Sequence, residues 1–218
     1  RQLWASGNGG FALTAYGQPS SVYPTQSVEG YEGKGVQLTT RSTGPLGAMF
    51  GSPIAAGNLF YGHFDTSNAA MAPLKATRFG HPFDRKPLRF TGYYQYTPAE
   101  KVTDKRNQEL TDVKDRAAIY AIFYRNHDEV VIDGTNVKTS PAIIARADMG
   151  YVAPQTAWTA FDVAFAYTSE IDLDVLENNG YSLALVFSSS KRGDVFIGAV
   201  GSTLKVDRVR VVCEKEQQ

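Results

Sequence analysis

Carboxylates are the first side chains to weigh for chemistry, and Asp65, Asp84, Asp148, Asp162 and Asp194 are the candidates. Cleaving a glycosidic bond needs two carboxyl groups about 5–10 Å apart across a sugar cleft. Spacing along the chain does not decide which two meet. Asp162 is the odd member, because it interrupts an apolar run and shares a face with Trp158. The three histidines, His63, His81 and His127, fall in loop-like sequence whose spacing does not fix a zinc tripod. Ser188-Ser189-Ser190-Lys191 sets serine beside lysine, but at a strand end, without the helical spacing of a Ser/Lys nucleophile pair. There is no His-Glu-x-x-His and no Gly-x-Ser-x-Gly. No glycine-rich phosphate loop runs into Lys-Ser or Lys-Thr. The glycine clusters at Gly7–Gly10 and Gly30–Gly35 join no strand to a helix and read as turns. The single cysteine, Cys213, rules out an internal disulfide or a multi-cysteine metal site and reads as a buried, inert thiol.

A second chemistry needs no reacting atoms. Sugars offer apolar C–H faces to aromatic rings, and hydroxyls to amide, carboxylate and guanidinium groups. Leu88–Tyr96 reads Leu-Arg-Phe-Thr-Gly-Tyr-Tyr-Gln-Tyr, so Phe90, Gly92, Tyr94 and Tyr96 share one face and Tyr93 and Gln95 the other. Gly92 admits a close approach by a ligand or a covering chain. Trp4 and Trp158 read as core rather than as platforms.

Strands must position these groups. Short runs rich in Val, Ile, Tyr, Phe and Thr, punctuated by Gly, Pro, Asn and Asp, predict strands at Gly35–Arg41, Leu88–Tyr96, Ala117–Tyr124, Glu129–Asp133 and Ala142–Asp148. Others follow at Ala157–Thr168, Tyr181–Ser189, Asp194–Val200 and Thr203–Cys213. Period-two alternation, with Tyr181, Leu183, Leu185 and Phe187 on one face, predicts antiparallel sheets packed on a core. Uneven connections suit jelly-roll crossings, so the expected class is all-β: one antiparallel two-sheet β-sandwich, a jelly roll, over residues 1–218. Asp172–Asn179 reads as a short helical connector with Gly180 at its left-handed end. Pro98–Arg116 alternates charges and reads as a solvated loop. Leu46–Pro87, dense in glycine, proline and rings, reads as a strand or two around Ala55–Tyr61 and then a folded functional loop.

Composition narrows the partners. In 218 residues, 22 Lys+Arg balance 22 Asp+Glu, so no basic surface for nucleic acid is expected. No run approaches the roughly 18–20 apolar residues that span a bilayer, so no membrane insertion is expected. The start at Arg1, without Met or leader, reads as the C-terminal part of a longer precursor.

Several strings, in order, resemble the putative carbohydrate metabolism domain (PCMD) family. They are Gly30-Tyr31-x-Gly33-x-Gly35-Val36-x-Leu38, Ala56-Gly57-Asn58-Leu59-Phe60, Arg78-Phe79-Gly80-x-Pro82-Phe83 and Phe90-Thr91-Gly92-Tyr93-Tyr94-x-Tyr96. Ile144-Ala145-Arg146-Ala147, Phe187-Ser188-Ser189-Ser190-Lys191-x-Gly193-Asp194 and Val206-Asp207-x-Val209 continue the match. The resemblance implies a jelly-roll carbohydrate-binding module. It also implies export from glycan-degrading gut bacteria, as a surface-tethered lipoprotein or in the periplasm, and oligo- or polysaccharide as partner. No cofactor is implied, although a structural calcium at Asp207 stays open. The expected sugar site joins the Asn58–Phe83 loop, the Tyr94/Tyr96 face and the Ser189–Asp194 turn. There Phe79, His81 and Tyr94 stack on sugar rings, Arg78, Lys191 and Asp194 take hydroxyls, and Asn58 and Tyr96 complete the ligand-binding set. The alternatives are a glycoside hydrolase using two of Asp84, Asp148, Asp162 and Asp194, and a structural adhesion or assembly sandwich.

Overall fold

Alternating apolar residues give strands an apolar face, and the chain buries those faces by setting two antiparallel sheets against each other. The computed structural model describes residues 3–67, 72–127 and 130–214. The five-stranded sheet runs in the order Gln155–Ala164, Pro87–Thr97, Thr203–Cys213, Lys34–Thr39, Thr25–Glu29. The larger sheet runs Trp4–Ala5, Asn58–Phe64, Tyr181–Ser188, Ala118–Arg125, Ile143–Asp148, Ala166–Tyr167. Two short strands lie off that path, Thr77–Phe79 on Asn58–Phe64 and His81–Pro82 on Tyr181–Ser188. The chain passes repeatedly from one sheet to the other, as in a jelly roll. Both margins of the larger sheet are strands of only two residues. No helix of the described residues is long and apolar enough to cross a membrane.

The inner faces meet in one core. Phe90, Tyr94, Tyr96, Leu204 and Val206 of the five-stranded sheet pack against Phe123, Tyr181, Leu183, Leu185 and Phe187 of the larger one. Each such large side chain, sealed from water, contributes about 1.5–3 kcal/mol. Gly92 belongs to this inner face. A Cβ there would lie 2.7 Å from Cε1 of Phe161, so the glycine makes room for a covering ring and not for a ligand. The second core cluster covers the outer face of the larger sheet. Phe60, Ile122, Tyr124, Ala184 and Val186 lie beneath Phe79, Ile132 and Val137, and Tyr124 Oη donates to the Phe79 carbonyl at 2.7 Å. The larger sheet is therefore buried on both sides over most of its area.

Several expected elements differ. The run Ala157–Thr168 divides: Gln155–Ala164 pairs with Pro87–Thr97, and Ala166–Tyr167 pairs with Ile143–Asp148 in the other sheet. The pivot is Phe165, buried, with its N–H bonded to the Leu88 carbonyl at 2.9 Å. The expected strand Glu129–Asp133 begins outside the described residues and shows one isolated bridge, Asp133 to Arg78. Asp194–Val200 is instead a 3-10 turn, Gly193–Val195, followed by the two-residue strand Gly198–Ala199. That strand pairs with Val102–Thr103 and pins part of the charged 98–116 loop into buried surroundings. The connector forms as Leu173–Glu177 with Asp172 capping Val175, but Asn179 takes the left-handed position (φ 56°). Gly180 is small for another reason, since its Cβ would lie 2.5 Å from Cγ1 of Val175. In the 46–87 stretch the strands Ile54–Ala55 and Asn58–Phe64 form close to where they are expected.

Candidate functional site

The outer face of the larger sheet is sealed at one end and polar at the other. Tyr120 and Ile122 both point outward from Ala118–Arg125. Asp148 stands directly across from Tyr120 on the neighbouring strand, and Arg146 across from Ile122, so register alone sets all four on one face. Ile122 is covered, whereas Tyr120 and Arg146 are half-buried and Asp148 is exposed.

Two turns complete the cluster. Lys138 arrives from the turn after Asp133, and Asp194 from the 3-10 turn after the Tyr181–Ser188 strand. Lys138 Nζ and Asp194 Oδ2 are 2.6 Å apart, and Arg146 Nη2 donates to the Lys138 carbonyl at 2.6 Å. Asp148 Oδ1 accepts from the Gly150 N–H at 2.7 Å, which folds the chain back over the strand end. At the rim, Lys191 Nζ reaches the Gly150 carbonyl at 3.5 Å. The Arg116 guanidinium lies 5.3 Å from the ring centre of Tyr151, a tyrosine 58% exposed. Burial pushes the Tyr120 phenol well above its ordinary value, and the Asp194 and Asp148 carboxylates push the same way against Arg146. Tyr120 therefore stays a neutral hydroxyl, able to donate and accept, between two carboxylates.

The turn that carries Lys191 and Asp194 springs from a sealed chain of hydroxyls. Thr40 Oγ1 lies 2.8 Å from Ser189 Oγ and 2.6 Å from Ser190 Oγ, and Ser190 Oγ donates to Asp115 Oδ2 at 2.6 Å. The Ala199 N–H also donates to that oxygen, at 2.8 Å, and the Gly57 N–H donates to Ser189 Oγ at 2.9 Å. Ser189 and Ser190 are thus anchors, out of reach of any substrate. A buried carboxylate is tolerable when surrounded by donors, and Asp115 has them.

The expected site comes together only in part. Asp194 and Lys191 lie at the polar end of the larger sheet, joined by Asp148 from the set of candidate carboxylates. Phe79, His81, Tyr94 and Tyr96 are buried, at 8%, 6%, 2% and 1% exposure, and none offers a ring face to a ligand. Tyr94 and Tyr96 belong to the core between the sheets, and Phe79 caps the outer cluster. The His81 ring nitrogen Nε2 lies 3.1 Å from the Leu3 carbonyl and 3.2 Å from that of Gly62, tying the N-terminal strand down. Arg78 sits between Asp65 and Asp133, and the Asn58 carboxamide oxygen accepts from the Gly7 N–H at 2.8 Å. Both are structural fastenings. Asp84 is exposed beside Arg85, and exposed Asp162 pairs with Arg89 on the opposite sheet. Tyr120, Lys138 and Tyr151 lie outside the expected sugar site. Alternation with Ile122 was the available signal for Tyr120.

Asp207 uses Oδ2 on the Glu32 N–H at 2.9 Å and Oδ1 on the Arg208 N–H at 2.6 Å, stapling the 30–35 hairpin to the last strand. Among the described residues no three His, Cys, Asp or Glu side chains converge to hold a metal ion, and both Asp207 oxygens are engaged by backbone N–H groups.

The sequence model of the putative carbohydrate metabolism domain matches residues 1–212. The chain belongs to that family. Among solved structures it is similar to a putative glycoside hydrolase of Bacteroides thetaiotaomicron VPI-5482, with a TM-score of 0.95 and 42% identity. That match covers 98% of this chain and 63% of the other, so the chain spans less than two thirds of that relative. A putative glycoside hydrolase of Bacteroides vulgatus ATCC 8482 superimposes with a TM-score of 0.90 at 40% identity, covering 97% of this chain and 85% of its own. No curated protein matches.

Proposed function

We propose that this member of the family recognises a glycan at the polar end of the larger sheet. One observation carries the reading: strand register and two turns bring Tyr120, Arg146, Asp148, Lys138 and Asp194 together where the covering layer stops. Carboxylates and cations take opposite ends of sugar hydroxyls, neutral Tyr120 takes either, and exposed Tyr151 supplies a face for stacking. The family's description and the names of its solved relatives support a carbohydrate as the partner. Binding a single sugar buries few atoms, so affinity lies in the ~mM to μM range. An exported protein, periplasmic or tethered at the cell surface, fits a polymeric glycan ligand, and fractionating the source cells checks that location.

The test is a glycan array followed by calorimetry on the hits. Asp194→Asn and Tyr151→Ala should each weaken binding about tenfold, that is by about 1.4 kcal/mol. Failure to bind any member of a broad panel of plant, microbial and host glycans overturns the proposal.

Hydrolysis is the second reading, favoured by two carboxylates at this end of the sheet: Asp148 stands across from Tyr120 in register, and Asp194 acts on the same phenol electrostatically. It requires that Asp148→Asn and Asp194→Asn each abolish release of reducing ends while leaving sugar binding measurable. Binding with no turnover by the unaltered protein leaves recognition alone.

A further inference from the structure

The outer face of the five-stranded sheet carries a second set of groups that the polar cluster does not use. Arg210 and Asp162 flank Thr91 on neighbouring strands, and Asp207 and Ala160 flank Tyr93. These rows border an open groove of about 300 Å³ lined by Thr91, Tyr93, Asp162, Arg208 and Arg210.

Three features distinguish this groove from an ordinary solvated face. The last strand bulges between Asp207 and Arg210, and Arg208 within the bulge is left-handed (φ 52°), a conformation unfavourable for a residue with a Cβ. The bulge brings the Arg208 guanidinium against Glu32 beside the groove. Charges are also unevenly matched. Arg89 is paired with Asp162 at 2.7 Å and Arg208 with Glu32, whereas exposed Arg210 has no ion-pair partner among the described residues. Finally, Tyr31 lies flat on Tyr93, centroids 4.0 Å apart and planes 7° apart, with Tyr31 half-exposed.

A flat aromatic stack beside an unpaired guanidinium complements a pyranose that bears a carboxylate. We propose that this groove binds an acidic saccharide, with the uronate carboxylate on Arg210 and the C–H face of the ring on the Tyr31–Tyr93 stack. The volume is at the lower end of ligand sites and suits one or two sugar rings. Glu32 and Asp162, held in their ion pairs with Arg208 and Arg89, keep lone pairs that can accept sugar hydroxyls. The groove is on the opposite sheet from the polar cluster, so this proposal stands apart from the function assigned there.

Calorimetric titration with tetragalacturonate and with its carboxyl-reduced counterpart provides the test. The acid should bind and the reduced sugar should not. Arg210→Gln should weaken the acid about tenfold, as should raising salt to about 0.5 M, because the contact is an exposed ion pair. Tyr31→Ala should weaken it as well, whereas Asp194→Asn, on the other sheet, should leave it unchanged. The proposal is overturned by no binding of the acid at millimolar concentration, by equal affinity for the reduced sugar, or by indifference to Arg210→Gln. Loss of uronate binding in Asp194→Asn would assign that sugar to the other site and equally end this one.

Discussion

Replacing Asp115 by alanine tests whether the hydroxyl chain holds the turn that carries Asp194. The carboxylate is buried and accepts from Ser190 Oγ, the Ala199 N–H and the Arg116 N–H at 2.6, 2.8 and 2.9 Å. In the variant the Ser190 hydroxyl can turn toward Thr40 Oγ1, already 2.6 Å away, so its loss is softened. The Ala199 N–H has no such escape within its short pairing with Val102. A sealed, unpaired donor costs about 1–3 kcal/mol, and the lost charge-assisted bond from Ser190 adds about 1 kcal/mol. The expected total is about 2–4 kcal/mol, equivalent to a fall of roughly 5–15 °C in Tm for a chain of this size. Urea titration followed by circular dichroism measures the first, and a thermal scan the second. Asp115→Asn, which keeps one oxygen but turns an NH2 toward a donor, should fall between the wild type and alanine. A loss below about 0.5 kcal/mol in Asp115→Ala would mean that the donors find other partners, and the anchoring argument would be wrong.

Gly92→Ala should cost about 1–3 kcal/mol, because its Cβ drives into the Phe161 ring. An unchanged melting curve would show that the ring moves aside freely. Tyr96, Tyr120 and Tyr167 are all raised above 10.0, burial being the largest cause in each. Above pH 10 the unfolded chain loses these protons before the folded one does. Their contribution is therefore complete below that pH and is lost as pH climbs toward the folded values. The urea midpoint should hold steady from about pH 8 to 9.5 and drop steeply beyond 10, less so in Tyr120→Phe; a midpoint that stays level up to about pH 11.5 would contradict the assignment.

Alternation made the sandwich legible, and it failed where both faces of a strand are covered. In Tyr181–Ser188 the smaller face of Ser182, Ala184 and Val186 is as buried as Leu183 and Leu185, which alternation of size alone does not reveal. The cause is the covering layer of Phe79, Ile132 and Val137, supplied by segments with no period of their own. Tyr94 and Tyr96 pose the same difficulty, expected at the sugar site but buried between the sheets. Period two shows that they share a face, but only the fit of Phe161 over Gly92 decides that this face is inward. The turn that bears Lys191 and Asp194 is visible in the sequence, because Ser-Lys-Arg-Gly-Asp directly after an apolar strand is polar. Their neighbour Asp148 was one carboxylate among several, since its meeting with Asp194 depends on strand register and on a 3-10 turn read as a strand. The proximity of these side chains is a product of pairing, which local spacing does not encode.

The two-residue margins of the larger sheet, Trp4–Ala5 and Ala166–Tyr167, also bear on how these molecules behave in company. A long open margin is a template onto which another polypeptide can add, the usual start of fibrils and swapped dimers. Here such an intruder would find almost no ladder to continue. At the first margin it would also have to displace Trp4, whose ring packs edge-on against Tyr61 at 5.6 Å. The sheet buried on both faces thereby offers little margin on which a neighbouring chain could build.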